Sequence, residues 1–245
     1  MRKKWLVIPI LVLLAVSSAH AMSGRKIMEK SKALPDADTA ASKVLMKIHK
    51  AGRVLEKEFI LQSKQFEDGE DKTLISFIRP TKIKLLVHAH KGREDDHWLR
   101  LSSGRVKRVA GSSRGRPFVN SHFYYEDFTS VNLDDYEFKR IGEAKAMGDD
   151  CYKVEAVKVK GEKVYDRLVL YPRKSDYFVN RIDFYKNGEF HKYLENRRVK
   201  KIDGILTPHR VVMTRADDRG RTELILKGIQ YNLNINPTTF KKGRL

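Results

Sequence analysis

The sequence predicts a mainly β fold: one long antiparallel meander of roughly eleven strands, preceded by a single helix. Three observations carry this. After a short stretch of helical spacing, apolar residues recur with a period of two almost to the C-terminus. Between these runs stand Asn187-Gly188, Asp203-Gly204 and Asp218-Arg219-Gly220, residues that tolerate the positive φ of tight hairpin turns. No Gly-rich strand-to-helix junction and no βαβ alternation occurs, which argues against a nucleotide-binding α/β fold.

Taken in order, the chain opens on residues 1–21, which read as a secretory signal. Arg2, Lys3 and Lys4 form a basic start, residues 5–16 an apolar run, and Ala19 and Ala21 the small residues that precede a cleavage site. The run is too short to span a bilayer as a helix. Cleavage after Ala21 leaves residues 22–245 as a single domain. Ile27, Met28 and Ser31 then fall at helical spacing, and Pro35 ends that helix.

Val44, Met46 and Ile48 alternate with Lys43, Lys47 and His49, and Ala51-Gly52 turns the chain into a second strand carrying Leu55, Phe59 and Leu61. Residues 67–70 close that strand; a third over 74–78 stops at Pro80. Strands follow over 83–90, 97–102 and 106–109, the last two hinged at Ser103-Gly104. After an irregular interval come 136–141, 152–159, 164–171, 178–186, 190–200, 207–214 and 222–232. A meander of this length must curl, because every strand adds twist and the edges need cover. A curled sheet with an apolar inner face, plugged by one or two short helices, makes a place for something greasy.

The irregular interval is the richest part. A Gly/Ser/Arg loop at 111–117 leads into a stretch holding Phe118, Phe123, Tyr124, Tyr125 and Phe128. These aromatics, with Trp98, are the candidate lining of an apolar cavity or its lid; core packing is the plain alternative. Arg105, Arg108, Arg114 and Arg116 are candidates for an anionic head group, since Gly and Ser let backbone amides approach an anion while guanidinium forks to it. A solvated loop face is the alternative for them.

Composition bounds the function. With 41% hydrophobic and 33% charged residues, the chain is no disordered basic tail, and one cysteine, Cys151, excludes a disulfide scaffold. Loss of Arg2, Lys3 and Lys4 takes the net charge from +19 to about +16. Inside a cell such charge would first suggest nucleic acid; an exported chain meets anionic membrane surfaces instead. His88 and His90 share one strand face near Glu94, Asp95 and Asp96, but no third ligand is fixed by spacing, so no metal is expected. No nucleophile elbow, no zinc-protease motif and no cofactor motif occurs. Glu126-Asp127 suits a helix cap better than acid–base work. The expectation is a protein that is not an enzyme and needs no cofactor.

Several segments resemble the outer-membrane lipoprotein-sorting (LolA-like) protein family. They are FIRPTKIK, DDHWLRLSSGRVKRVAGSSRGRPF, VNSHFYYEDF and GDDCYKVEA, followed by RIDFYKNGEFHKYLE, KIDGILTPHRVVMT and RTELILKGIQYNLNINPTTF. The segments lie between Phe77 and Phe240, and the resemblance as a whole extends over residues 43–240. The resemblance implies an unclosed antiparallel β-barrel, a half-barrel with helices on its concave face. It also implies a periplasmic carrier that holds the acyl chains of a lipoprotein or another lipid and shuttles them towards the outer membrane. Its partners would be an inner-membrane lipid exporter, an outer-membrane acceptor and, transiently, an anionic membrane surface, with no nucleic acid. The alternative is a periplasmic sensor or adaptor that binds a membrane-protein segment on the same fold.

Overall fold

The computed structural model describes residues 22–67, 69–90, 93–129, 132–161 and 164–245. The expected signal sequence, residues 1–21, lies outside the described residues. Helix α1 (Gly24–Lys32) starts where the Ser23 hydroxyl accepts the Lys26 N–H at 3.2 Å, and it buries Ile27 and Met28.

Thirteen strands follow among the described residues: β1 (Thr39–Lys50), β2 (Arg53–Gln65), β3 (Asp71–Arg79), β4 (Lys84–Ala89), β5 (Asp96–Arg100), β6 (Val106–Arg108), β7 (Tyr136–Ala146), β8 (Asp149–Lys158), β9 (Arg167–Pro172), β10 (Val179–Lys186), β11 (Glu189–Ile202), β12 (Ile205–Arg215) and β13 (Gly220–Tyr231). They form one antiparallel sheet, mainly β as the sequence predicts, with thirteen strands against the rough total of eleven, and each of the thirteen overlaps one of the runs read from the sequence. Even the three residues of β6 pair, with Val106 opposite Arg100. Strand β7 runs longer than the apolar pattern indicates, because Met147 (φ 56°) and Gly148 (φ 91°) make a tight turn that keeps β7 and β8 in register to Ala146–Asp149.

The order β6-β5-β4-β3-β2-β1-β13-β12-β11-β10-β9-β8-β7 is not closed into a barrel. The chain starts mid-sheet at β1, builds outward to β6, crosses to β7 at the far edge, and builds back until β13 pairs with β1. Residues 109–135 make that crossing. Its described residues run over one face of the sheet through four 3-10 turns, Gly111–Ser113, Phe118–Asn120, Tyr125–Phe128 and Leu133–Asp135.

That inner face carries the main core. Met46, Phe59, Ile75, Phe77, Leu85, Phe184 and Met213 pack there with Ile27 of α1 and with Phe118 and Phe123 of the crossing. Fully burying each such side chain stabilises by about 1.5–3 kcal/mol. On the outer face, Leu74 and Leu86 are covered by Ile235 and Phe240 of the C-terminal segment. Cys151 is buried in a third cluster with Val169 and Tyr171.

Candidate functional site

The crossing is built as an aromatic plug. Phe118 is fully buried, with its ring centroid 5.0 Å from Phe128, 5.4 Å from Tyr125 and 5.7 Å from Phe77 of β3. Phe123 lies 5.7 Å from Phe128, and Tyr124 stacks on Tyr165 at 6.3 Å. Five of the six predicted aromatics, Phe118, Phe123, Tyr124, Tyr125 and Phe128, therefore meet on the inner face, joined by one short turn and its flanks. The inner face at this point is filled by the chain's own rings.

Trp98 does not join them, which corrects the sequence expectation. Alternation along β5 turns His97 and Leu99 inward and Trp98 outward. Its ring sits 4.8 Å from that of His88 and packs under the C-terminal segment with Phe240. The other histidine of that pair, His90, spends both ring nitrogens on carboxylates, Glu70 at 2.5 Å and Asp96 at 3.1 Å. His88 Nε2 donates to the Phe240 carbonyl at 2.7 Å.

A buried ion pair pins the plug to the sheet. Lys192 of β11 reaches Asp127 at 2.6 Å, with side chains 2% and 1% exposed. Asp127 also accepts from the Tyr124 N–H at 2.7 Å and from the Tyr165 hydroxyl at 2.6 Å. Lys192 donates to the His122 carbonyl at 3.0 Å and lies 3.8 Å from the centre of the Tyr124 ring. Burial pushes the Lys192 ammonium down from its ordinary range, and the Asp127 charge opposes that shift. Beside it the His122 N–H donates to the Thr222 hydroxyl at 3.0 Å; burial first, then the Arg215 charge, take the His122 imidazole to about 4. Asp127 is the cap the sequence indicates, and more than a cap. Lys192 escaped the sequence reading, although an inward lysine two residues before the inward Leu194 breaks the alternation and marks it.

The four arginines part company. Arg105 and Arg116 are exposed, and Arg108 pairs with Asp96 at 2.5 Å on the edge strand. Arg114 is buried, with Nη2 donating to the Asp95 carbonyl at 2.6 Å and Glu94 at 3.5 Å. It lines a cleft of about 820 Å³ between the β4–β5 loop, the crossing and the β7–β8 edge, together with Asp95, Glu126, Tyr136 and Lys158. Glu126 stands 3.5 Å from Lys158. Burial pushes the Glu126 and Asp95 carboxyls up, and Tyr136 beside them is taken above its ordinary range by the same cause. Among the described residues no helix is long and apolar enough to cross a membrane.

A family model described as "Uncharacterized protein" matches residues 69–245. No curated protein matches the chain in sequence. Among solved structures, the chain is similar to a DUF1329 family protein from Desulfovibrio piger, with 29% identity, a TM-score of 0.85, and coverage of 90% of this chain and 96% of that one. It is also similar to an outer membrane lipoprotein-sorting protein domain from Vibrio parahaemolyticus, with 26% identity, a TM-score of 0.85, and coverage of 90% and 97%. A LolA superfamily protein from Nitrosomonas europaea shares the fold at 18% identity, with a TM-score of 0.70 and coverage of 92% and 100%.

Proposed function

The chain belongs to the family whose model matches residues 69–245, and from its likeness to an outer membrane lipoprotein-sorting domain we propose that it is a periplasmic carrier, not an enzyme, which takes the acyl chains of a lipoprotein or other lipid onto the inner face of its open sheet and moves them towards the outer membrane. Residues 1–21 would export it and residues 22–245 would act as one carrier unit.

The observation that carries this reading is the plug. Phe118, Phe123, Tyr124, Tyr125 and Phe128 sit on a crossing whose described residues contribute no strand to the sheet, so once the Lys192–Asp127 pair opens they can leave the inner face without breaking its ladder. An acyl chain that replaces them restores the apolar contact, at about 0.8 kcal/mol per buried CH₂. Loading and release then exchange one apolar filling for another, which keeps the cargo transferable. An inner-membrane exporter and an outer-membrane acceptor would supply and remove it, and the basic surface would hold the carrier near anionic lipid.

Protein purified without detergent should carry lipid detectable by native mass spectrometry, and a fluorescent fatty acid should compete with it. Phe118→Ala should change fatty-acid affinity at least three-fold, while Trp98→Ala, on the other face, should leave it unchanged. A protein with no co-purified lipid and no fatty-acid binding would overturn the proposal.

A further inference from the structure

One turn of the plug faces two ways. Tyr125 and Phe128 pack on the inner face, whereas Glu126 between them lines the charged cleft of about 820 Å³. A ligand whose apolar part displaced the plug would therefore bring its polar end to this cleft.

The cleft's own chemistry is specific. Arg114 is only 6% exposed, and its Nε, also buried, has no hydrogen-bond partner among the described residues. Lys158 and Glu126 are 17% and 11% exposed at their side chains and meet loosely, at 3.5 Å. Asp95 lies close enough for its charge to be felt by Glu126, and both carboxyls are raised by burial. The cluster thus holds Arg114 and Lys158 beside Asp95 and Glu126 largely away from solvent, where charges are weakly screened, with the more exposed Glu94, 3.5 Å from Arg114, at its rim. A purely anionic ligand would face the two carboxylates, and a purely cationic one would face Arg114 and Lys158. A ligand bearing both signs pairs with all four.

We propose that this cleft receives a zwitterionic lipid head group, with its phosphate on Arg114 and Lys158 and its ammonium on Asp95 and Glu126. This rests on the carrier reading and adds to it the class of cargo. Arg suits the phosphate, since its planar fork binds two oxygens at once, and Lys158 adds a point charge.

The test uses the detergent-free protein and mixed vesicles of equal phosphatidylethanolamine and phosphatidylglycerol, with native mass spectrometry of what is bound. Phosphatidylethanolamine should be enriched at least ten-fold over phosphatidylglycerol. Arg114→Gln and Glu126→Gln should each reduce that enrichment below three-fold while still binding a fluorescent fatty acid, which shows that they fold. Arg198→Gln, an exposed site on β11, should keep the full enrichment. Equal capture of both lipids, or unchanged enrichment in both cleft variants, overturns the head-group site and leaves the carrier intact. Capture of neither lipid overturns both. Calorimetry with glycerophosphoethanolamine alone separates the sources: binding as tight as that of the whole lipid would make the cleft a site for a soluble zwitterion and overturn the lipid assignment.

Discussion

Lys192 and Asp127 are each too polar for the place they occupy, and each is tolerable there because of the other. A buried pair of this kind adds little net stability against an apolar pair of the same shape, but removing one partner strands a charge. Lys192→Met should destabilise the fold by about 3–5 kcal/mol in urea unfolding, whereas Lys192→Met with Asp127→Leu should recover a large part of that loss. The same logic applies to His97, which is fully buried; burial first, then the Arg114 charge, take its imidazole to about 4. The unfolded chain protonates near 6.5, so acidification favours unfolding from that pH downward. Stability from this residue is complete above about pH 6.5 and falls by roughly 3 kcal/mol as pH approaches 4. The raised carboxyls of Asp95 and Glu126 act in the opposite sense. Comparing urea midpoints at pH 7.5 and 4.5 for wild type and His97→Phe isolates the imidazole: the variant should lose less on acidification.

At the scale of elements, most of what the chain does was readable. Alternation located every strand, because a sheet with one apolar face leaves its period in the sequence. The same alternation, applied to His97, Trp98 and Leu99, already separates Trp98 from the inner face; its size and its neighbourhood in sequence outweighed its parity. The seat of α1 was less legible. Gly24 lies against edge strand β7, where an added Cβ would come within 2.7 Å of the Arg140 nitrogen and the Lys139 carbonyl carbon. Alanine ordinarily favours a helix by about 1 kcal/mol over glycine. Here Gly24→Ala should instead cost about 1–3 kcal/mol through overpacking, and hydrogen exchange should show α1 opening more readily from β7. The helix covers an edge that would otherwise be open to pairing, while the opposite edge, β6, is short, exposed and basic.

For the whole molecule, a net charge of +19, about +16 without Arg2, Lys3 and Lys4, surrounds a sheet whose inner face carries a mainly apolar core. Binding to anionic vesicles should therefore be electrostatic and salt-sensitive. Co-sedimentation should fall several-fold as ionic strength rises from about 0.01 M to about 0.3 M, while fatty-acid binding, driven by burial, should not weaken. Salt-independent vesicle binding would assign that contact to apolar residues instead.

The sequence by itself determined the mainly β meander, the leading helix, the turns and the aromatic richness of residues 118–128, because each is a local pattern of period, turn residue or composition. Only the tertiary structure decided that the sheet is built outward from β1 and then inward from β7, so that residues 109–135 must cross its inner face. That crossing brings Asp127 to Lys192, 65 residues away, and Glu126 to Lys158, 32 residues away. No local signal encodes such meetings. They follow from which edges the chain must join, and at those meetings buried charges find the partners that make their burial affordable.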